Sequence, residues 1–254
     1  MAKPTFLCIG VQKSGTSSLI NYLSQCPDIF IKTEESHFFD TKKLSKINIM
    51  EYEKTFNTDK LIVGEKTPSY NYLQFAIDEI YNYNPNIKLI LLLREPISRA
   101  FSQYNMELEF KKLDLNDVSD EQILKDFEKE ENIKLSEIKC NGYHYINRGK
   151  YDEILTYILS KFPKENLHIG ISEEIIKNKK KHYNDIIEFL GGNKINIFFE
   201  NDVHVRKYKR SIPKSLEQKL YNIYKKHNEN LYEILGRKIN IWENYYNDIN
   251  QRFK

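Results

Sequence analysis

The segment Gly10-Val-Gln-Lys-Ser-Gly-Thr-Ser-Ser18 has the residue types of a loop that binds a phosphate-like anion. It lies between a short apolar run and a helical pattern, so it connects a predicted strand to a predicted helix. Glycines let a backbone wrap around an anion, and the N-terminus of the next helix offers N–H groups and a positive dipole end. We therefore predict an anion site at Lys13, Ser14, Gly15, Thr16, Ser17 and Ser18.

This loop differs from the P-loop of nucleotide kinases and hydrolases. Gly10 and Gly15 have the P-loop spacing, but a P-loop places lysine directly after the second glycine and then a hydroxyl for Mg²⁺. Here Thr16 follows the second glycine, and the lysine of the loop is Lys13. The sequence therefore predicts a site for a phosphate group rather than for a metal-bound triphosphate, and no metal site.

A second anion-binding position is predicted where the apolar run 89–93 ends. A P-loop hydrolase usually has a Mg²⁺-binding Asp there, whereas this chain has Arg94. Doubly wound folds bind ligands beyond the carboxyl ends of their strands, and arginine suits phosphate oxygens. Ser102 follows about two turns into the next predicted helix. We expect Arg94 and Ser102 to bind one phosphate together.

Short apolar runs that alternate with longer helical patterns predict an α/β fold, P-loop-like, with a central parallel sheet flanked by helices. The run 89–93 lacks polar alternation, as in a central strand covered on both faces. The predicted strands are Thr5–Ile9, Leu61–Val63, Lys88–Leu93 and Leu167–Ile171. The predicted helices are Ser17–Ser24, Tyr70–Tyr83, Ile97–Leu108, Tyr151–Phe162, His182–Leu190 and Lys214–Leu235.

Length and composition indicate one globular domain over residues 1–254. A chain of 254 residues can bury a substantial core, and 40% hydrophobic with 30% charged residues is typical of a folded soluble protein. Repeats, low-complexity linkers and a domain boundary are missing from the sequence. The acidic, poorly periodic segment 111–141 is interpreted as an insertion with some helix.

Charge and cysteine content exclude several classes of protein. A net charge of only +3 argues against a nucleic-acid binder. Three cysteines without C-x-x-C spacing predict neither a zinc site nor a disulfide framework, as in a reducing compartment. No apolar run approaches the ~20 residues of a membrane span. We expect a cytoplasmic protein, unless a membrane anchor has been removed from the chain.

Several segments, in the expected order from about residue 5 to 242, resemble sulfotransferases that use 3′-phosphoadenosine 5′-phosphosulfate (PAPS). Residues 6–19 resemble the loop that binds the 5′-phosphosulfate, and residues 88–104 the segment that binds the 3′-phosphate. Glu35-Ser-His-Phe-Phe-Asp40 and Gly64-Glu-Lys-Thr-Pro-Ser-Tyr70 narrow the resemblance to the heparan sulfate N- and 3-O-sulfotransferases. Arg148-Gly-Lys-Tyr151 and Lys209-Arg-Ser-Ile-Pro213 are similar to segments of the same branch.

The resemblance implies transfer of a sulfuryl group from PAPS to a hydroxyl or amine, with a carbohydrate as the expected acceptor. It aligns Glu35 with the catalytic base, and a glutamate is already ionised near neutrality and able to take a proton. His37 is the alternative base, because more distant sulfotransferases use a histidine. Lys13 is expected at the bridging oxygen and Lys66 at the sulfuryl group or acceptor, where positive charge stabilises the transition state.

The resemblance also assigns binding roles. Lys209 and Arg210 are expected to cover the 3′-phosphate, since arginine matches phosphate geometry. His37, Asp40, Lys66 and Tyr70 are expected to face the acceptor. The family usually has glycine where this chain has Lys209, and the anchor and disulfide of its Golgi members have no counterpart here. Segment 111–141 also has no counterpart, which makes it a candidate for substrate recognition.

Two other classes of function compete with this interpretation. A P-loop kinase of small molecules is disfavoured by Thr16 and Arg94. A non-catalytic nucleotide sensor or inactive glycan-binding relative is disfavoured by the joint presence of Glu35, Lys13 and Lys66. Among enzymes, a lipid, a polyketide or another small-molecule hydroxyl is the alternative acceptor.

Overall fold

The computed structural model describes residues 2–41, 45–130, 133–138, 142–199 and 210–252. Within these residues, five parallel strands form one sheet with the order β2-β3-β1-β4-β5. The strands are β1 (Phe6–Gly10), β2 (Ile29–Ile31), β3 (Ile62–Lys66), β4 (Lys88–Leu93) and β5 (Leu167–Ile171). The predicted α/β class with a central parallel sheet is confirmed.

The described helices alternate with these strands along the chain or follow the last strand. They are α1 (Thr16–Leu23), α2 (Lys46–Lys54), α3 (Gln74–Tyr83), α4 (Pro96–Phe110), α5 (Asp120–Glu128), α6 (Tyr151–Lys161), α7 (Ser172–Lys177), α8 (Lys179–Leu190), α9 (Lys214–Leu235) and α10 (Asn240–Arg252). Among the described residues, each helix is too short or too polar to cross a membrane.

The described chain divides into two compact units. The first lies within residues 1–93 and 157–205 and contains the sheet; the second lies within residues 94–156 and 206–254. A single domain over residues 1–254 therefore stays a prediction.

The first unit is built around β1 and β4, whose side chains are buried on both faces. Every residue of β1 is buried, and Leu89–Leu93 of β4 are at most 1% exposed. β1 pairs with β3 on one side and with β4 on the other. The apolar run at 89–93 is thus the central strand that its lack of polar alternation predicts.

In the second unit, buried polar contacts fix the start of α4. The Glu95 carboxylate caps this helix by accepting the N–H groups of Ile97 at 2.9 Å and Ser98 at 2.7 Å. The Tyr246 hydroxyl of α10 donates to the same carboxylate at 2.8 Å. Segment 111–141, outside its undescribed residues 131–132 and 139–141, contains α5, whose Phe127 packs against Tyr104 of α4.

The predicted helices and strands agree best with the structure where the hydrophobic pattern of the sequence is strongest. β4, β5 and α9 have the predicted bounds. The predicted helix Tyr70–Tyr83 is wrong at its start: a 3₁₀ turn covers Tyr70–Tyr72, and Leu73 is extended (φ −100°, ψ 102°) before α3 begins. β2, α2, α7 and α10 were not predicted, because they are short or bury few side chains.

Gly64 is required by the packing of β1 on β3. A Cβ at this position would lie 2.5 Å from two carbons of the Phe6 ring. We expect Gly64→Ala to lower the free energy of unfolding by about 1–3 kcal/mol, because the ring must move in a close-packed core. Phe6→Leu removes the ring with which the new Cβ would clash. The double variant Gly64→Ala with Phe6→Leu should therefore lose less unfolding free energy than the sum of the two single variants. Urea denaturation measures all three variants, and strict additivity would contradict this account.

Candidate active site

The loop after β1 is shaped by two glycines. Gly10 has φ 146°, and a Cβ there would lie 2.1 Å from Nδ2 of Asn71. That amide donates to the carbonyls of Ile9 at 3.0 Å and Pro68 at 2.7 Å, so it joins the β1 loop to the turn after β3. Gly15 has φ 85° and directly precedes α1. Both backbone conformations favour glycine.

The same loop offers groups that an anion could bind. The N-cap of α1 is Gly15, which has no side chain to accept the N–H groups of the first turn. The Ser14 hydroxyl is buried and lacks a hydrogen-bond partner among the described residues, while the Ser14 carbonyl accepts the Ser172 hydroxyl at 2.7 Å. Lys13 is partly exposed. These features are compatible with a phosphate or sulfate group, and anion binding by this loop stays a prediction.

Beside this loop, β3 ends in Lys66, which forms an ion pair with Glu35. β1 and β3 pair with Cys8 opposite Lys66, and the Thr67 N–H donates to the Cys8 carbonyl at 3.1 Å. The Lys66 Nζ lies 2.6 Å from Oε1 of Glu35, which follows β2. The predicted base therefore lies at the same carboxyl edge of the sheet as the β1–α1 loop. We call this loop, residues 10–18, the anion loop after its predicted ligand.

His37 and Asp40 extend the ion pair into a chain of alternating charges. The other carboxylate oxygen of Glu35 lies 3.3 Å from Nε2 of His37. Nδ1 of His37 lies 2.8 Å from Oδ2 of Asp40, which also accepts the Ser69 hydroxyl at 2.5 Å. The structure thus brings together Glu35, His37, Asp40 and Lys66, all of them predicted site residues.

The protonation states in this chain distinguish the two candidate bases. Burial raises the pKa of Glu35, but hydrogen bonds from His37 and Lys66 outweigh it, so the net pKa lies below its ordinary value. The hydrogen bond to Asp40, followed by that to Glu35, raises the pKa of His37 to about 10. At neutral pH Glu35 is ionised and His37 already carries its proton. Only Glu35 is then in the state that a base requires.

Tyr70 has a different role from the predicted one. Its side chain is 0% exposed, and its hydroxyl accepts the N–H groups of Phe38 at 2.9 Å and Phe39 at 3.3 Å. A fully buried ring cannot contact an acceptor, so the prediction that Tyr70 binds the acceptor is wrong for this conformation. Tyr70 instead binds the backbone of Phe38 and Phe39, next to His37.

Arg94 and Ser102 belong to the second unit. Arg94 is partly exposed at the start of α4, and its carbonyl accepts the Tyr151 hydroxyl at 2.8 Å. Ser102 is 1% exposed, two turns into the helix. Their joint binding of a phosphate stays a prediction.

The basic segment at residues 209–213 is described only from Arg210 onward, so Lys209 lies outside the described residues. Arg210 donates from Nη1 to the carbonyls of Val118 at 2.6 Å and Leu115 at 3.2 Å, and from Nη2 to the Asp120 carboxylate. Its guanidinium is bound to segment 111–141. Its predicted contact with a 3′-phosphate stays a prediction.

Sequence reasoning missed the residues that support the site. Hydrogen bonds that involve four such residues stabilise either residues 36–40 or the anion loop. These residues are Glu65, Thr67, Ser69 and Asn71. Gly64–Tyr70 had been singled out, but only Lys66 and Tyr70 were given roles in it. The sequence pattern predicts a strand that ends at Val63, whereas β3 continues to Lys66 and contains Glu65, which is fully buried.

The fold and the site define an α/β protein with a glycine-containing loop after its first strand and a carboxylate paired with a lysine at the same sheet edge. The family model for the sulfotransferase domain matches residues 3–231, and the chain belongs to that family.

Curated relatives include heparan sulfate glucosamine 3-O-sulfotransferase 5 of Mus musculus, 30% identical over 192 residues (74% of this chain and 53% of that protein). Heparan sulfate glucosamine 3-O-sulfotransferase 6 of Mus musculus is 36% identical over 105 residues (41% of this chain and 31% of that protein). The chain spans about half the length, or less, of these relatives. A solved sulfotransferase from Alicyclobacillus acidocaldarius has a TM-score of 0.76 at 23% identity, over 96% of this chain and 100% of that one, which supports the fold.

His37 should stay protonated through neutral pH because Asp40 and Glu35 hold its proton. Since its folded pKa of about 10 exceeds the ordinary 6.5, the resulting stabilisation is complete below about pH 6.5 and is lost as pH rises through 10. An NMR titration of the His37 Cε1–H should show this high pKa, and Asp40→Asn should shift it down toward 6.5. The His37→Gln variant lacks this signal, and its disappearance from the spectrum assigns the signal to His37. A midpoint near 6.5 in the unmodified protein would contradict the geometry.

Proposed function

We propose that this protein is a PAPS-dependent sulfotransferase that transfers a sulfuryl group to a hydroxyl or amine of a carbohydrate. The observation that carries this proposal is the ionised Glu35, 2.6 Å from Lys66, at the sheet edge that also bears the anion loop. Membership of the sulfotransferase family supports the reaction type.

The donor's 5′-phosphosulfate is assigned to the β1–α1 loop. Lys13, the Ser14 hydroxyl and the first turn of α1 would hold it, and Lys13 would stabilise charge that develops on the bridging oxygen. The donor supplies a sulfuryl group that is already activated by its link to phosphate. The sequence resemblance assigns its 3′-phosphate to Arg94 and Ser102, with Lys209 and Arg210 as further candidates. Since fixed cations supply the positive charge, the proposal includes a metal-independent reaction.

Glu35 is the proposed base. It takes the proton of the acceptor hydroxyl or amine while the acceptor atom bonds to sulfur and the bond from sulfur to the bridging oxygen breaks. Lys66 keeps Glu35 ionised until then and supplies positive charge near the reacting atoms. His37, held by Asp40, donates to the other carboxylate oxygen and so fixes the orientation of the base.

A carbohydrate is the proposed acceptor class for two reasons. The curated relatives that cover most of this chain are named for their action on heparan sulfate glucosamine. In addition, the side chains of Glu35 and His37 are 37% and 52% exposed, so a large acceptor can reach them. A lipid, a polyketide or another small-molecule hydroxyl is the alternative.

The proposal is tested by incubating the protein with PAPS and a panel of glycans, lipids and small-molecule alcohols in excess EDTA. Mass spectrometry should detect a sulfuryl adduct on a glycan, with adenosine 3′,5′-bisphosphate as the second product. Transfer to a lipid or small molecule alone would replace the carbohydrate as acceptor. Phosphate transfer from ATP that requires Mg²⁺, with none from PAPS, would overturn the sulfotransferase proposal and favour a kinase.

Arg94 should distinguish nucleotides by their 3′-phosphate. We expect Arg94→Ala to weaken adenosine 3′,5′-bisphosphate by at least about tenfold, the size of one charge-assisted contact. Adenosine 5′-phosphate should be nearly unaffected, because it lacks the group that Arg94 would bind. Calorimetry measures both affinities, and Lys111→Ala serves as a charge-matched control on an exposed cation. Equal losses for the two nucleotides would remove Arg94 from this role.

Glu35→Gln should separate binding from proton transfer. The amide keeps the size and most of the hydrogen bonding but cannot accept the proton, so turnover should fall by at least about 10²-fold while nucleotide affinity survives. His37→Ala should cost less, since an already protonated imidazole acts through orientation. Near-normal turnover in Glu35→Gln together with an inactive His37→Ala would reverse the assignment of the base. Nucleotide affinity is measured on the same preparations.

A further inference from the structure

The segment that directly follows Glu35, residues 36–39, has all four of its backbone N–H groups bound by side-chain hydroxyls. Thr67 Oγ1 accepts the first two of its N–H groups, at 3.2 and 3.4 Å. The Tyr70 hydroxyl accepts the next two, at 2.9 and 3.3 Å. Two hydroxyls thus bind four consecutive backbone donors.

Each of these hydroxyls is saturated as an acceptor. A hydroxyl oxygen has two lone pairs and one hydrogen, so after accepting two N–H groups it can only donate. Thr67 Oγ1 lies 2.8 Å from Oε2 of Glu65, and the Tyr70 hydroxyl is near enough to the same carboxyl group to lower its pKa. Both hydrogens therefore have the same acceptor.

Glu65 is 0% exposed and lies in β3, one residue before Lys66. Tyr52 donates to its Oε1 at 3.4 Å. Burial raises the pKa of Glu65 to about 7, and hydrogen bonds from Thr67 and Tyr70 oppose that rise. A buried carboxylate is unfavourable unless such donors surround it. In its ionised form the Glu65 side chain has two acceptor oxygens and no hydrogen, which suits donation from the Thr67, Tyr70 and Tyr52 hydroxyls.

The backbone of the held segment is itself unfavourable without support. His37 has φ 48°, in the left-handed region that non-glycine residues seldom occupy. Such a conformation persists where the surroundings hold it in place. The Thr67 and Tyr70 hydroxyls bind the N–H groups on both sides of this residue, and so present its imidazole to Glu35 and Asp40.

We infer that Glu65 is a positioning residue: through the hydroxyls of Thr67 and Tyr70 it fixes the backbone of residues 36–39, and thereby the orientation of Glu35 against Lys66. The inference rests on the proposed function in that Glu35 acts as the base. Glu65 has no contact with the reacting atoms, and its effect on turnover is indirect.

The amide variant Glu65→Gln tests this at nearly constant volume. Its side chain has one acceptor oxygen and an N–H₂ group that would face a hydroxyl donor, so one hydroxyl must turn and release a backbone N–H. Amide hydrogen exchange in a peptide covering residues 33–41 should become at least about tenfold faster, while the central strand Lys88–Leu93 stays protected. Turnover should fall by up to about 10²-fold, the effect of a misplaced catalytic group. Affinity for adenosine 3′,5′-bisphosphate should stay within about twofold.

Thr67 provides a matched pair of variants that leave the buried carboxylate in place, in case Glu65→Gln does not fold. Thr67→Val removes the hydroxyl at constant shape and should reproduce the faster exchange and the lower turnover, whereas Thr67→Ser should restore most of both. Thr67→Val combined with Glu65→Gln should be little worse than the poorer single variant, because both interrupt one chain of hydrogen bonds.

The outcomes separate this inference from the proposed function. Unchanged exchange at 33–41 in folded Glu65→Gln and Thr67→Val would overturn the inference, and so would faster exchange with unaltered turnover. Equal losses of turnover in Thr67→Ser and Thr67→Val would also overturn it. An unmodified protein that transfers no sulfuryl group from PAPS would refute the proposed function alone, since the exchange measurements still decide whether Glu65 fixes the segment.

Discussion

The parallel pairing of β1 with β3 is the constraint on which the rest of the site depends. It sets Cys8 opposite Lys66, so the anion loop and the turn after β3 leave the sheet at the same edge. The Asn71 amide then joins the two by donating to Ile9 and Pro68, and it occupies the space where any residue but glycine at position 10 would place a Cβ. The pairing therefore brings Lys66 and the loop that contains Lys13 to the same edge of the sheet.

The charges around Glu35 alternate in sign, which stabilises each of them and also keeps Glu35 able to accept a proton. Lys66, Glu35, His37 and Asp40 carry plus, minus, plus and minus, so each ion has an opposite neighbour within 3.3 Å. Lys66 is 7% exposed, and an unpaired ammonium at that depth would be unfavourable. The same pairing holds Glu35 in its ionised form and His37 in its protonated form. The arrangement that stabilises the charges thus also decides which of the two residues can accept a proton.

Sequence patterns predicted local elements of the fold better than the residues that support the cluster around Glu35. The loop at 10–18 and the strand at 88–93 follow from local glycine spacing and apolar character, and the structure has both. Glu65, Thr67 and Tyr70 act through contacts with a segment about thirty residues away in the chain, and hydrogen bonds over such separations leave no local periodicity. Tyr70 was misassigned for this reason: its place beside Lys66 suggested a site residue, whereas its full burial gives it a supporting role.

Arg210 connects two parts of the second unit that the sequence treated separately. It had been assigned to a phosphate, and segment 111–141 to substrate recognition, yet the guanidinium binds the Leu115 and Val118 carbonyls and the Asp120 carboxylate. A guanidinium has five N–H donors, and contacts from Nη1 and Nη2 to this segment leave it little freedom to turn. Binding a 3′-phosphate through the same Nη atoms would require contacts with the segment to open. The position of Arg210 and the conformation of residues 115–120 are therefore coupled through one side chain.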